Sequence, residues 1–124
     1  AGADAPLRDF PAMVRLADGL PVVLQEVGYP SSPRLQSSAR EQAQFVSNVF
    51  NAWNTASAGI PFLSYFCMHD FGRKWCEQLL TYYGINDPNF EAYLCTLGVR
   101  TVGGAPKPGW TRFVKGARQL NKSK

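Results

Sequence analysis

An α/β fold with parallel strands is what this chain predicts, on three observations. The β-branched, apolar run Pro21-Val22-Val23-Leu24-Gln25-Glu26-Val27 stops at Gly28. A helical period then extends from Ser38 to Ala56, and a second apolar run, Phe62 to Met68, follows the stop at Gly59 and Pro61. Strand, helix and strand in this order form the crossover unit of a parallel sheet, with both strands leaving by their carboxyl ends. Two such strands are too few for an independent parallel sheet, whose faces are normally both covered. Association is therefore predicted to complete or cover the sheet, through a homo-oligomer or through missing segments of a larger protein.

Residues 1–20 read as a lead-in and a preceding helix. Residues 1–6 carry no pattern, whereas Leu7, Phe10, Met13, Val14 and Leu16 share one face interrupted by Pro11. Asp18-Gly19 turns the chain into residues 21–120, the α/β domain. The first strand is apolar almost throughout, which predicts burial on both faces. Ser38 followed by Glu41 is a capping box, and Ala43, Val46, Val49, Phe50, Trp53 and Ala56 mark the buried helix face behind it.

His69-Asp70-Phe71-Gly72 leaves the second strand as a loop, and Arg73 to Tyr83 suits a helical or mixed connection. Gly84 and Asn86-Asp87-Pro88 break that connection before a short helix through Phe90 and Leu94. Leu97 to Val102 fits either an ordered loop or a short strand. Gly103-Gly104 makes a turn stiffened by Pro106 and Pro108, and Trp110, Phe113, Val114, Ala117 and Leu120 restore a helical period. Residues 121–124 form a polar tail.

With 124 residues, 45% of them hydrophobic, the chain supports one modest core. The net charge of +4 concentrates only at Lys115, Arg118, Lys122 and Lys124, a solvated helix face without interleaved aromatics, so no nucleic-acid partner is expected. No apolar run reaches the roughly 20 residues of a membrane-spanning helix, so no membrane partner is expected. Cys67, Cys76 and Cys95 have no metal-ligand spacing and read as free, partly buried thiols. With one histidine in the chain, and Gly103-Gly104 lacking the longer glycine pattern and adjoining lysine of a nucleotide loop, no metal or other cofactor is expected.

Chemistry-bearing residues gather at the predicted strand ends, where α/β folds place their clefts. Glu26 is the candidate nucleophile or base, Asp70 a hydrogen-bonding or charge partner and His69 a proton shuttle or orienting group, while Tyr29, Tyr65, Phe66 and Trp75 are candidates to line a substrate platform. Each has a plainer role open to it. Glu26 could tie down the strand-end loop, His69 could be a structural hydrogen-bonding residue, Asp70 could cap the next segment or pair with Arg73, and the aromatic rings could belong to the core.

Val23-Leu24-Gln25-Glu26-Val27-Gly28-Tyr29-Pro30-Ser31-Ser32 resembles the seventh strand end of retaining glycoside hydrolases built on an eight-stranded α/β barrel, the superfamily of many cellulases and glucanases. Phe62 to Phe71 resembles the eighth strand and its loop, and Leu97 to Trp110 resembles the segment leading into the final barrel helix. The resemblance implies a partial TIM-barrel-like fold containing strands seven and eight, a β-linked carbohydrate as ligand, and Glu26 as the catalytic nucleophile. It also implies that Tyr65 or Phe66 is a platform beneath the sugar. The family's acid/base residue comes from the fourth strand, within an asparagine and glutamate motif that nothing here matches, so activity of the isolated chain is not expected. A noncatalytic carbohydrate-binding or protein-association fragment is the main alternative, and an unrelated small hydrolase in which Glu26, His69 and Asp70 converge is a third reading.

Overall fold

The computed structural model describes residues 2–122, with side chains to residue 120. Its elements run α1 (Ala5–Leu16), β1 (Val23–Val27), a 3-10 turn (Pro33–Leu35), α2 (Ala39–Ala56), β2 (Phe62–Tyr65), α3 (Arg73–Tyr83), α4 (Pro88–Leu94) and α5 (Pro108–Lys122). β1 and β2 pair in parallel, joined by α2 as the crossover. Among the described residues this is the entire sheet, an open arrangement in which the outer edge of each strand is unpaired.

Helices α1, α2 and α5 cover one face. The Ser38 hydroxyl caps α2 by accepting from the Glu41 N–H at 3.1 Å, and the buried stripe Ala43, Val46, Val49 and Ala52 follows from that start. Phe10 from α1, Val27 from β1, and Phe45, Val49 and Ile60 make the core. The Trp53 indole N–H donates to the Ile60 carbonyl at 2.8 Å, securing the chain between α2 and β2. On the other side of α2, α5 comes so close that a β-carbon at Gly116 would enter the Phe50 ring.

β1 is irregular. Its register runs Val23 to Phe62 and Leu24 to Leu63, then resumes with Val27 to Tyr65, leaving a bulge over Gln25 and Glu26. Leu24 and Val27, three residues apart, consequently both lie against the helix-side core, and Gln25 and Glu26 are both exposed. The double-sided burial expected of β1 is corrected by this pattern: the face away from the helices is open, with Val23 52% and Phe62 54% exposed.

Three other expectations change. The lead-in is shorter than residues 1–6, because α1 begins at Ala5 with Pro6 in its first turn, where a missing N–H costs nothing. The second strand ends at Tyr65 instead of Met68, and Leu97 to Val102 is a loop bearing a lone parallel bridge between His69 and Arg100. Cys76 and Cys95 form a disulfide joining α3 to the end of α4, so Cys67 alone is a free thiol. Their 19-residue separation brackets a helix, a break and a second helix, which hid the pairing from spacing alone. Of the polar tail at 121–124, helix α5 takes in the first two residues, and the last two lie outside the described residues.

Candidate active site

Glu26 stands at the carboxyl end of β1, turned off the helix side by the bulge. Its carboxylate makes no hydrogen bond or ion pair to any other described residue, which sets aside the loop-tying role. It lines a groove of about 390 Å³ with Phe66 just beyond β2, and with Tyr83, Ile85, Phe90 and Tyr93 from the α3–α4 hairpin. No second carboxylate is among the groove's lining residues. A larger hollow of about 470 Å³ is lined only by α5, from Trp110 to Gln119, and includes no strand-end residue.

The other predicted residues separate. The Tyr29 ring stacks on Phe45 with centroids 4.9 Å apart, and its carbonyl accepts from Gln42. Tyr65 also packs on the helix side, edge to face with Phe113 at 5.9 Å. Burial pushes the Tyr65 hydroxyl well above the usual phenol range, with the Cys67 and Asp70 charges adding to it and the nearby Tyr29 backbone opposing. No partner satisfies hydrogen-bond geometry at that buried oxygen. The structure therefore brings Phe66 to Glu26 and turns Tyr29 and Tyr65 away from the groove. His69 is exposed, and Gly104 approaches its ring.

Asp70 is held in an ion pair, and its partner is Lys107, not Arg73, which pairs with Glu77 at 3.0 Å. The Lys107 ammonium lies 2.7 and 2.6 Å from the two Asp70 oxygens, and its side chain and that of Asp70 are 10% and 15% exposed. It also donates to the Ser31 hydroxyl at 3.0 Å and the Gly98 carbonyl at 2.8 Å, using its three protons on three separate segments. The Gly98 N–H returns a hydrogen bond to Asp70 at 3.0 Å. A β-carbon at Gly98 would run into the His69–Asp70 backbone, so only glycine permits this contact.

Gln42, fully buried on α2, completes the joint. Its amide nitrogen lies within bonding range of the carbonyls of Tyr29, Thr96, Leu97 and Gly98, at 2.9, 3.2, 3.3 and 3.0 Å. Ser31 adds bonds to Thr96. The loops leaving β1 and β2 are thus fastened to residues 96–98 and 107, which sets the floor on which Glu26 projects. Cys67 sits beside this network: burial, reinforced by the Asp70 charge and opposed by Lys107, raises its thiol to about 11.

Lys107, Gln42 and the hairpin aromatics were not among the sequence candidates. A signal for the aromatics was present, since Tyr82-Tyr83 precede the break at Gly84 and Phe90 and Tyr93 follow it at helical spacing. No such signal marked Lys107, whose partners are 9, 37 and 76 residues distant. Among the described residues, no three metal-ligating side chains converge, and no helix is long and apolar enough to cross a membrane.

No protein-family model matches this chain, and neither does any curated protein sequence. Solved structures do. A GH5_18 protein from Streptomyces cattleya, in complex with GlcNAc, superposes with a TM-score of 0.67 at 21% identity, over 98% of this chain and 27% of its own. The fold is that of part of a GH5 glycoside hydrolase barrel. A GH5_18 protein from Bifidobacterium longum subsp. longum ATCC 55813 gives a TM-score of 0.64 at 21% identity, over 98% of this chain and 26% of its own. One from Bifidobacterium longum subsp. infantis gives 0.63 at 21% identity, over 96% and 26%. The chain thus spans about a quarter of the length of the structures it resembles.

Proposed function

We propose that this chain is a truncated retaining β-glycosidase-like domain that supplies the nucleophile, Glu26, while the acid/base carboxylate belongs to barrel segments it does not contain. The supporting observation is the setting of Glu26: a carboxylate at a strand's carboxyl end, held off the core by a bulge and without a partner among the described residues, in a groove of ligand size. In the retaining reaction a Glu26 oxygen forms an ester bond to the anomeric carbon as the bond to the leaving oxygen breaks. The second carboxyl group, about 5 to 5.5 Å away, protonates that oxygen and then takes a proton from the water that cleaves the ester. Phe66, which lines the groove, would contact the sugar, and His69, exposed beyond the end of β2, would bind a hydroxyl group. Tyr29, Tyr65 and Asp70 would act through the scaffold beneath it.

The absence of a second carboxylate from the groove lining favours one further reading for the chain by itself, a carbohydrate-binding fragment without turnover. A reagent whose leaving group needs no protonation separates the two. One of the structural relatives is a complex with Manb1-4GlcNAc, so the manno and gluco epimers of a 2,4-dinitrophenyl 2-deoxy-2-fluoro-β-glycoside are suitable. Intact-mass and peptide analysis should find a glycosyl ester on Glu26 with release of dinitrophenolate, and none in Glu26→Gln. The nucleophile assignment fails if neither epimer labels the wild-type chain.

A further inference from the structure

We propose that the α3–α4 hairpin is a disulfide-clamped wall of a carbohydrate site, with Tyr83 and Tyr93 presenting their rings to the apolar face of a β-linked sugar whose hydroxyl groups face Glu26. The ligand class rests on the glycosidase-like reading above. The wall itself is argued from how the hairpin is held and what it leaves uncovered.

The hairpin has almost no core of its own. Cys76 is the one buried residue of α3 and Leu94 the one buried residue of α4. Between them, Tyr83 is 53% and Tyr93 43% exposed, and Tyr83 meets Phe90 edge to face at 5.8 Å. Two helices this short and this exposed would not stay docked through helix propensity alone. Covalent and polar ties replace the missing burial: the Cys76–Cys95 disulfide, the bond from the Arg34 guanidinium to Asn89 at 3.0 Å, and the Ser31–Thr96 bonds at the end of α4.

Those ties fix the aromatic groups across the groove from a carboxylate. One wall offers the aromatic residues Tyr83, Phe90 and Tyr93 with the aliphatic Ile85, and the strand ends offer Glu26 and Phe66. Sugars have the same two-sided character, with C–H faces that pack on aromatic rings and hydroxyl edges that need acceptors. A volume of about 390 Å³ falls at the small end of the ligand-site range, roughly 300 to 1,000 Å³.

Titration of the chain with cellobiose and with β-1,4-mannobiose, followed by ¹H–¹⁵N shifts, tests the wall. Saturable shifts are expected at residues 83–93 with at least one of the two disaccharides. Tyr83→Ala and Tyr93→Ala should each weaken binding at least fivefold. Replacing both Cys76 and Cys95 by serine should weaken it at least tenfold while the α2 and α5 resonances stay in place. The proposal is overturned if neither sugar moves residues 83–93 saturably, or if affinity is unchanged in the two tyrosine variants. Sugar-dependent hairpin shifts without a Glu26 ester would keep the wall and remove the nucleophile; an ester with an unmoved hairpin would do the reverse.

Discussion

On the helix side of the sheet, Val27 of β1 and Ile60 just before β2 disappear beneath Phe10 and Phe45, whereas on the other side Val23 of β1 and Phe62 of β2 remain about half exposed. The helix side is held by apolar burial contributed by α1, α2 and α5. The strand ends are held by a lysine and a glutamine that fasten loops distant in sequence, and the α3–α4 hairpin beside them by a disulfide. Burial is cumulative and tolerant of small losses, while a polar joint depends on every partner being present. The contrast teaches that the helix side rests on cumulative burial and the strand-end side on few, specific connections.

The largest effect should come from the scaffold. Phe45→Ala removes the ring between Tyr29 and the core, and should cost about 3 to 5 kcal/mol, seen as a drop in the denaturant midpoint at unchanged slope. If hydrogen exchange speeds equally in α2 and in α3–α4, the two regions unfold together and the distinction between them is lost.

Next is Lys107→Met, which leaves the mostly buried Asp70 carboxylate without its cation. A loss of roughly 3 kcal/mol is expected, and adding Asp70→Asn to that variant should recover part of it. Thermal melts of the single and double variants measure both. Equal stability of Lys107→Met and wild type would show that the loops do not depend on this joint.

The smallest effect concerns pH. The Cys67 thiol, at about 11 in the fold, lies above its ordinary value near 8.5, so the native state keeps this proton after the unfolded chain has lost it. Its stabilising contribution is whole below about pH 8.5 and fades as the pH rises toward 11. Denaturant melts at pH 8 and pH 10 should therefore show a smaller alkaline loss in Cys67→Ala than in wild type; identical losses would place the thiol in a water-like setting.

How much was legible in the sequence follows the same division. The crossover unit, the Ser38 cap and the period of α2 and α5 were readable because local spacing and burial on one face dictate them. Glu26 was readable as a strand-end carboxylate, but the turning of Tyr29 toward α2 was not, since one extra residue in β1 decides which of its side chains share a face, and Tyr65 follows Leu63 onto the helix side by plain alternation. The Asp70–Lys107 pair and the Cys76–Cys95 bond are products of tertiary approach and leave no periodic trace.

The bulge at Gln25 and Glu26 has a second consequence, for fidelity of assembly. Were β1 to pair in plain alternation, Glu26 would occupy the side of Leu24 and carry an unpaired charge under the aromatic layer of α2, a placement costing several kcal/mol. The carboxylate is thus a proofreader of strand alignment: a chain that slips by one residue next to β2 must either drown its own charge in hydrocarbon or let go and pair again.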